Sequence, residues 1–166
     1  MNTHVSRLLR LSACSAALAL ATCVAAYAQA VPEGVIMFNP ETAQWAAGGT
    51  PGAGATQVAN IYGDPSKPGP YLYITKSPPG QRPQSQPHTH PDTRTYTVIS
   101  GTWYIGFGSK FDESKLIALR AGSYYTEPAG VSHFVLVKDD GAVVLISGTG
   151  PTRMIPVEDR ATSGSK

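Results

Sequence analysis

Residues 87–101 read PHTHPDTRTYTVISG and residues 122–134 read GSYYTEPAGVSHF. The first stretch sets two histidines one residue apart at the head of an alternating run. The second brings His133 in behind a framework of Gly122, Pro128 and Gly130. In a strand, residues i and i+2 point to one face, so His88 and His90 can aim both imidazoles at a single point. Taken alone, an H-x-H pair beside a loop is weak evidence of ligands. Its weight comes from the company it keeps.

That company is a chain of short apolar or alternating runs separated by Gly, Pro, Asp and Ser. The runs are VIMF (35–38), TQVANIY (56–62), YLYITK (71–76), TYTVIS (95–100), TWYIGFG (102–108), KLIAL (115–119), SYYTE (123–127), HFVLVK (133–138), AVVLISG (142–148) and RMIPV (153–157). Runs of this length, rich in Val, Ile, Thr and Tyr and bounded by turn residues, predict an all-β sandwich or barrel. GDPSKPGP (63–70) and KSPPGQRPQSQP (76–87) read as loops, KDDG (138–141) as a tight hairpin, and DESK (112–115) as one helical turn. Of the alternating set Trp103, Ile105 and Phe107 against Tyr104, one side must face the core; of Tyr124 and Tyr125, one points in and one out.

At 166 residues the chain has room for one domain of ordinary size. Its first 28 to 30 residues have the parts of an export signal: Arg7 and Arg10 ahead of an apolar core of small residues, then AYAQA with cleavage expected after Ala28 or Ala30. The core is too short and too rich in Ala and Ser for a lasting anchor. A periplasmic or secreted protein is the expectation, with no stable membrane anchor after cleavage. Cys14, Cys23 and His4 leave with the leader, so neither disulfides nor thiolate ligands are expected, and His88, His90 and His133 are the only histidines kept. Without Arg7 and Arg10 the 11 remaining basic residues balance 11 acidic ones, which gives no support to a nucleic-acid surface or a polybasic membrane patch. The expected plan is a leader (1–30), an irregular N-terminal arm (31–56) that wraps the barrel or reaches a neighbour, a barrel (57–157) and a flexible tail (158–166).

His88, His90 and Gly101, followed by Gly122, Pro128, Gly130 and His133, stand at the spacing of the two signature motifs of the cupin superfamily, which this chain therefore resembles. The resemblance implies a double-stranded β-helix, or jelly-roll barrel, whose lumen holds a divalent metal ion on His88, His90 and His133. Iron is the foremost expectation, with manganese, nickel, copper or zinc as the others. It also implies a small-molecule substrate and a metal-dependent dioxygenase, isomerase or lyase. Cupins commonly pair through their sheets, and the arm suits a homodimer.

Three positions depart from the motifs. The opening glycine of the first motif falls at Arg82, with Gly80 two residues early; the asparagine of the second falls at Val137; and the fourth ligand, a glutamate, is replaced by Arg94. A guanidinium keeps its proton, and at about 5 Å from a divalent ion the repulsion is roughly 2 to 7 kcal/mol for effective dielectrics of 80 down to 20. Arg94 must therefore turn toward Asp92, Glu127 or solvent, or face an anion lying between it and the metal, or grip a carboxylate or phosphate in a site with no tight metal. Tyr96 shares alternation with Arg94 and is expected either to offer a phenol to the site or to pack as ordinary barrel core. Glu127 reads as a solvated strand-end carboxylate rather than a substitute ligand, and Asp92 as a turn former. The alternative function is a non-catalytic module that captures a small carboxylate or sugar with weak metal binding or none.

Overall fold

The computed structural model describes residues 30–48, 56–80 and 84–157. Residues 1–29 of the leader, residues 49–55 of the arm, residues 81–83 with Arg82, and the tail from 158 lie outside the described residues. The unit that begins at Gly34 carries strands β1 (Ala46–Ala47), β2 (Gln57–Tyr62), β3 (Gly69–Ser77), β4 (Gln84–Thr89), β5 (Arg94–Phe107), β6 (Ile117–Arg120), β7 (Tyr124–Glu127), β8 (His133–Gly150) and β9 (Ile155–Pro156). One 3-10 turn, Glu113–Lys115, is capped by Asp112, whose carboxylate accepts the Ser114 N–H at 3.0 Å.

β8 is the spine of a curled sheet. Its second half pairs antiparallel with β3, from Ser77↔Ala142 to Gly69↔Gly150, and its first half with β4, at Gln84↔Leu136, Ser85↔Val135 and His88↔His133. Its other edge follows β5 from Thr95↔Ser147 to Phe107↔His133. β2 and then β1 extend the β3 side, β9 joins β4, and β6 and β7 pair with the free edge of β5. The fold is the all-β, cupin-type barrel that the motifs imply.

Alternation sorts the side chains of β8. His133, Val135 and Val137 line the lumen, while Phe134 points the other way and is fully buried beside Phe111, ring centroids 5.0 Å apart. Tyr96, Val98, Val137, Ala142, Val144 and Ile146 form the main apolar cluster, with Tyr73, Trp103, Leu119 and Tyr125 packed on it. Burying a side chain of this size is worth about 1.5–3 kcal/mol, and the cluster is built almost wholly from β5 and β8. These two strands carry both the fold and the walls of the site.

Four local expectations are corrected. KDDG is no hairpin, and TYTVIS does not end at Gly101: β8 and β5 each run straight through. Gly101 (φ +71) and Gly141 (φ +68) instead face one another, and a Cβ on Gly101 would strike the carbonyl oxygen of Gly141. The register shifts on both sides of Gly101, so the turn chemistry serves a paired bulge that bends both strands together. The same shift changes the parity of β5. Thr102 and Ile105 are buried, Trp103 lines the lumen and Phe107 is exposed. VIMF forms no strand and leaves Val35, Ile36 and Met37 exposed, because no sheet edge takes it up. Residues 84–87, read as loop from their Pro and Gln, belong to β4. Pro87, which has no N–H to give, sits where the β4–β8 register shifts, and its carbonyl accepts the Val157 N–H at 3.0 Å.

Gly101→Ala combines an unfavourable backbone region with a backbone collision. It is expected to destabilise the barrel by about 3 kcal/mol. Urea unfolding checks it, and a loss below about 0.5 kcal/mol would show that the bulge relaxes freely.

Candidate metal centre

His88 and His133 are direct cross-strand partners on β4 and β8, which puts their side chains side by side on one face. His90 follows one residue beyond the end of β4. Its carbonyl accepts the N–H of Gly130 at 2.9 Å, so the positive-φ glycine of the second stretch (φ +77) ties the two halves of the site together. The three rings are 4%, 6% and 1% exposed for His88, His90 and His133. Their ligand-type nitrogens all lie within 4.8 Å of one another, and among the described His, Cys, Asp and Glu side chains no other set of three or more converges in this way.

The second nitrogen of each ring fixes the tautomer. Nδ1 of His88 lies 2.7 Å from the Gln86 carbonyl oxygen, that of His90 2.8 Å from the Arg153 carbonyl, and that of His133 3.2 Å from the Val131 carbonyl. A carbonyl can only accept, so each Nδ1 carries the hydrogen and each Nε2 presents a lone pair. Burial first, and then the charges around them, hold all three below the ordinary histidine range, His90 and His133 at about 3. Neutral imidazoles with backbone-anchored Nδ1–H groups are the donor set of a divalent transition ion, and the residues present fit one.

Arg94 is buried at 5% exposure, and its hydrogen bonds involve no carboxylate. Nε donates to the Tyr71 hydroxyl at 3.1 Å, one terminal nitrogen to the Tyr73 hydroxyl, and the other to Nε2 of His90 at 2.5 Å. Burial works against its charge, but the phenols of Tyr73, Tyr96 and Tyr71 outweigh that and shift its proton affinity upward. Asp92 acts at one remove: Tyr71 donates to its Oδ2 at 2.6 Å and Thr152 donates to Oδ1. It does more than form a turn, because β3 brings Tyr71 to it from 21 residues away.

Tyr96 packs in the core and also borders the lumen. It stacks on Tyr125 (centroids 4.4 Å apart, planes at 8°). Tyr124 points out, 60% exposed. Glu127 is the larger correction: it is 1% exposed rather than solvated, because Tyr125 points inward and residue 127 shares its face. Its Oε1 accepts from Tyr96 at 3.4 Å, while Oε2 makes no hydrogen bond and lies 3.2 Å from Nε2 of His133. Burial, partly offset by the charge of Arg94, raises its carboxyl to about 7. Nothing in the sequence said which of the two tyrosines faced in, so the carboxylate could not be placed from it. Tyr71 and Tyr73 carried no signal beyond strand membership.

The lumen is a cavity of about 320 Å³ lined by the three histidines, Arg94, Tyr73 and Trp103 among others. It is large enough for a small organic molecule and little else.

Acid should destabilise this barrel. Between about pH 3 and 6.5 the unfolded chain binds protons at His90 and His133 that the folded chain refuses, so these groups stabilise the fold above pH 6.5 and progressively less below it. Glu127 has the opposite sign from pH 4.5 to about 7, since the folded form keeps a proton the unfolded form releases. Between pH 6.5 and 4.5 two histidines outweigh one glutamate, leaving a net loss of about 1.4 kcal/mol per pH unit on acidification. Melting curves in EDTA from pH 7 to 4 check this; a melting temperature that rises over that range would contradict it.

No family model matches the chain. Germin-like protein 8-11 of Oryza sativa subsp. japonica is 39% identical over 64 residues, 37% of this chain and 27% of that protein. This chain thus matches only about a quarter of the length of that relative. Among solved structures, the polyketide cyclase RemF from Streptomyces resistomycificus superimposes with a TM-score of 0.63 at 15% identity, over 76% of this chain and 88% of that one. An RmlC-like cupin from Shewanella frigidimarina does so with a TM-score of 0.51 at 12% identity, over 68% and 87%. At such identities the likeness is one of fold. Strand order, barrel and superposition agree: the chain has the cupin fold.

Proposed function

We propose that this is an exported, metal-dependent cupin that holds one divalent ion on His88, His90 and His133 and presents it to a small anionic organic molecule gripped by Arg94. The observation that carries the reading is the set of three backbone-anchored Nδ1–H groups, which leaves three Nε2 lone pairs converging in a buried lumen. The ion, when bound, supplies a Lewis acid that polarises a ligand oxygen, or a redox centre if it is iron.

The chain's own residues do the rest. Arg94 offers a fixed cation, and a carboxylate can take two of its N–H groups at once. The rings of Tyr73 and Tyr96 flank that cation, their centroids 5.7 and 5.8 Å from its central carbon. The apolar walls of Trp103, Val137 and Ile146 limit water around the bound molecule. RemF, a cyclase by name, has this fold, and isomerase- or lyase-like chemistry stands beside dioxygenation as the reaction class.

Mature protein is expected to carry about one ion per chain after reconstitution and to lose melting temperature on adding EDTA. Elemental analysis beside melts with and without chelator decides. No ion retained from any common divalent metal would defeat the reading.

A second reading draws on the Arg94–His90 hydrogen bond, which occupies a lone pair that the ion needs. On it the protein captures a small carboxylate without metal, and its melting temperature responds to carboxylates but not to EDTA. Export rests on the leader pattern alone, and intact mass of the processed protein should place the new N-terminus at Gln29 or Val31.

A further inference from the structure

We infer that Glu127 is a fourth ligand of the ion, supplied by β7, the strand that lies against the Arg94 position of β5. The inference rests on the three-histidine reading above and extends it to a residue outside that converging set. Arg94 and Glu127 are registered partners across the β5–β7 pair, so their side chains leave the sheet on one face as neighbours. An acid at either position enters the same region of the lumen.

Glu127 has been drawn into the interior with one oxygen unaccounted for. Oε2 has no hydrogen-bond partner and sits 3.2 Å from Nε2 of His133, a nitrogen whose ring hydrogen is on the other side, at the Val131 carbonyl. Two lone-pair atoms do not face each other at that distance without a cation or a proton between them. Donors that share an ion at about 2.0–2.2 Å stand about 2.8–3.6 Å apart when they are neighbours around it. The observed separation falls inside that interval.

Arg94 makes no ion pair with this carboxylate among the described residues: three of its N–H groups go to Tyr71, Tyr73 and His90, and those left over are free for an anion in the cavity. With Glu127 bound, a divalent ion and Arg94 together would leave two positive charges toward the cavity, and an anionic organic molecule balances them.

The test uses Co²⁺ as probe, with binding followed by calorimetry and by the visible absorption of the bound ion. Glu127→Gln keeps the shape of the side chain and is expected to weaken Co²⁺ on the order of 100-fold and to change its spectrum. The double variant Arg94→Glu with Glu127→Gln puts the acid on β5 and is expected to recover affinity to within about tenfold of wild type. A Glu127→Gln protein that binds Co²⁺ as tightly as wild type, or more weakly with an unchanged spectrum, overturns the assignment while leaving the three histidines standing. If His88→Ala also binds as wild type, the three-histidine reading itself has failed.

Discussion

Arg94→Gln is expected to tighten divalent-metal binding by roughly 20-fold or more, since at about 5 Å even the weakest plausible repulsion between a guanidinium and a divalent ion is near 2 kcal/mol. A second effect has the same sign: the substitution removes the 2.5 Å hydrogen bond that engages Nε2 of His90. The variant should also lose any stabilisation that a small carboxylate such as malonate gives the wild type. The two outcomes belong together, because one cation opposes the metal and attracts the anion. Calorimetric titration with Zn²⁺ and melts over a malonate series measure them. Unchanged metal affinity would mean that Arg94 stays clear of the ion in the loaded protein, and tighter metal with malonate binding intact would take the anion site away from Arg94.

His88→Ala carries the largest loss. Deleting one of three imidazoles that converge within 4.8 Å should lower metal affinity on the order of 1000-fold, beyond the 10- to 100-fold that follows from disturbing a group behind a ligand. At a metal concentration about 100 times the wild-type dissociation constant, the wild type gains about 2.7 kcal/mol, or about 10 °C in melting temperature for a unit of this size. The variant should gain almost none. Equal metal-dependent melting in the two proteins would remove His88 from the centre. The control is the melt in EDTA, where cavity formation alone sets the difference between them.

Both predictions concern residues visible in the sequence, whereas the partners that give them meaning are not. His88 and His90 could be paired from the parity of a strand, and His133 joined them through the spacing of Gly122, Pro128 and Gly130. Arg94 was visible as a misfit at a ligand position. Its tyrosines on β3 were invisible, because nothing near residues 71–73 says which strand they lie against. Glu127 was misread for a related reason. Whether Tyr125 or Tyr124 faces inward depends on the register of β7 on β5, and a slip of one residue reverses every side chain.

What the sequence by itself determined is local: strand-forming runs and the residues able to bind a cation. It also foresaw the 3-10 turn at Glu113–Lys115. Only the tertiary structure decided that the KDDG stretch bends a continuous strand, that the Arg94 guanidinium rests on His90 and two phenols, and that a buried carboxylate stands beside His133. The division has one physical cause. Backbone preference and side-chain parity act over a few residues and can be read from the chain. Register and facing depend on which distant strand completes the hydrogen bonds, and that choice is made by the packing of the whole barrel.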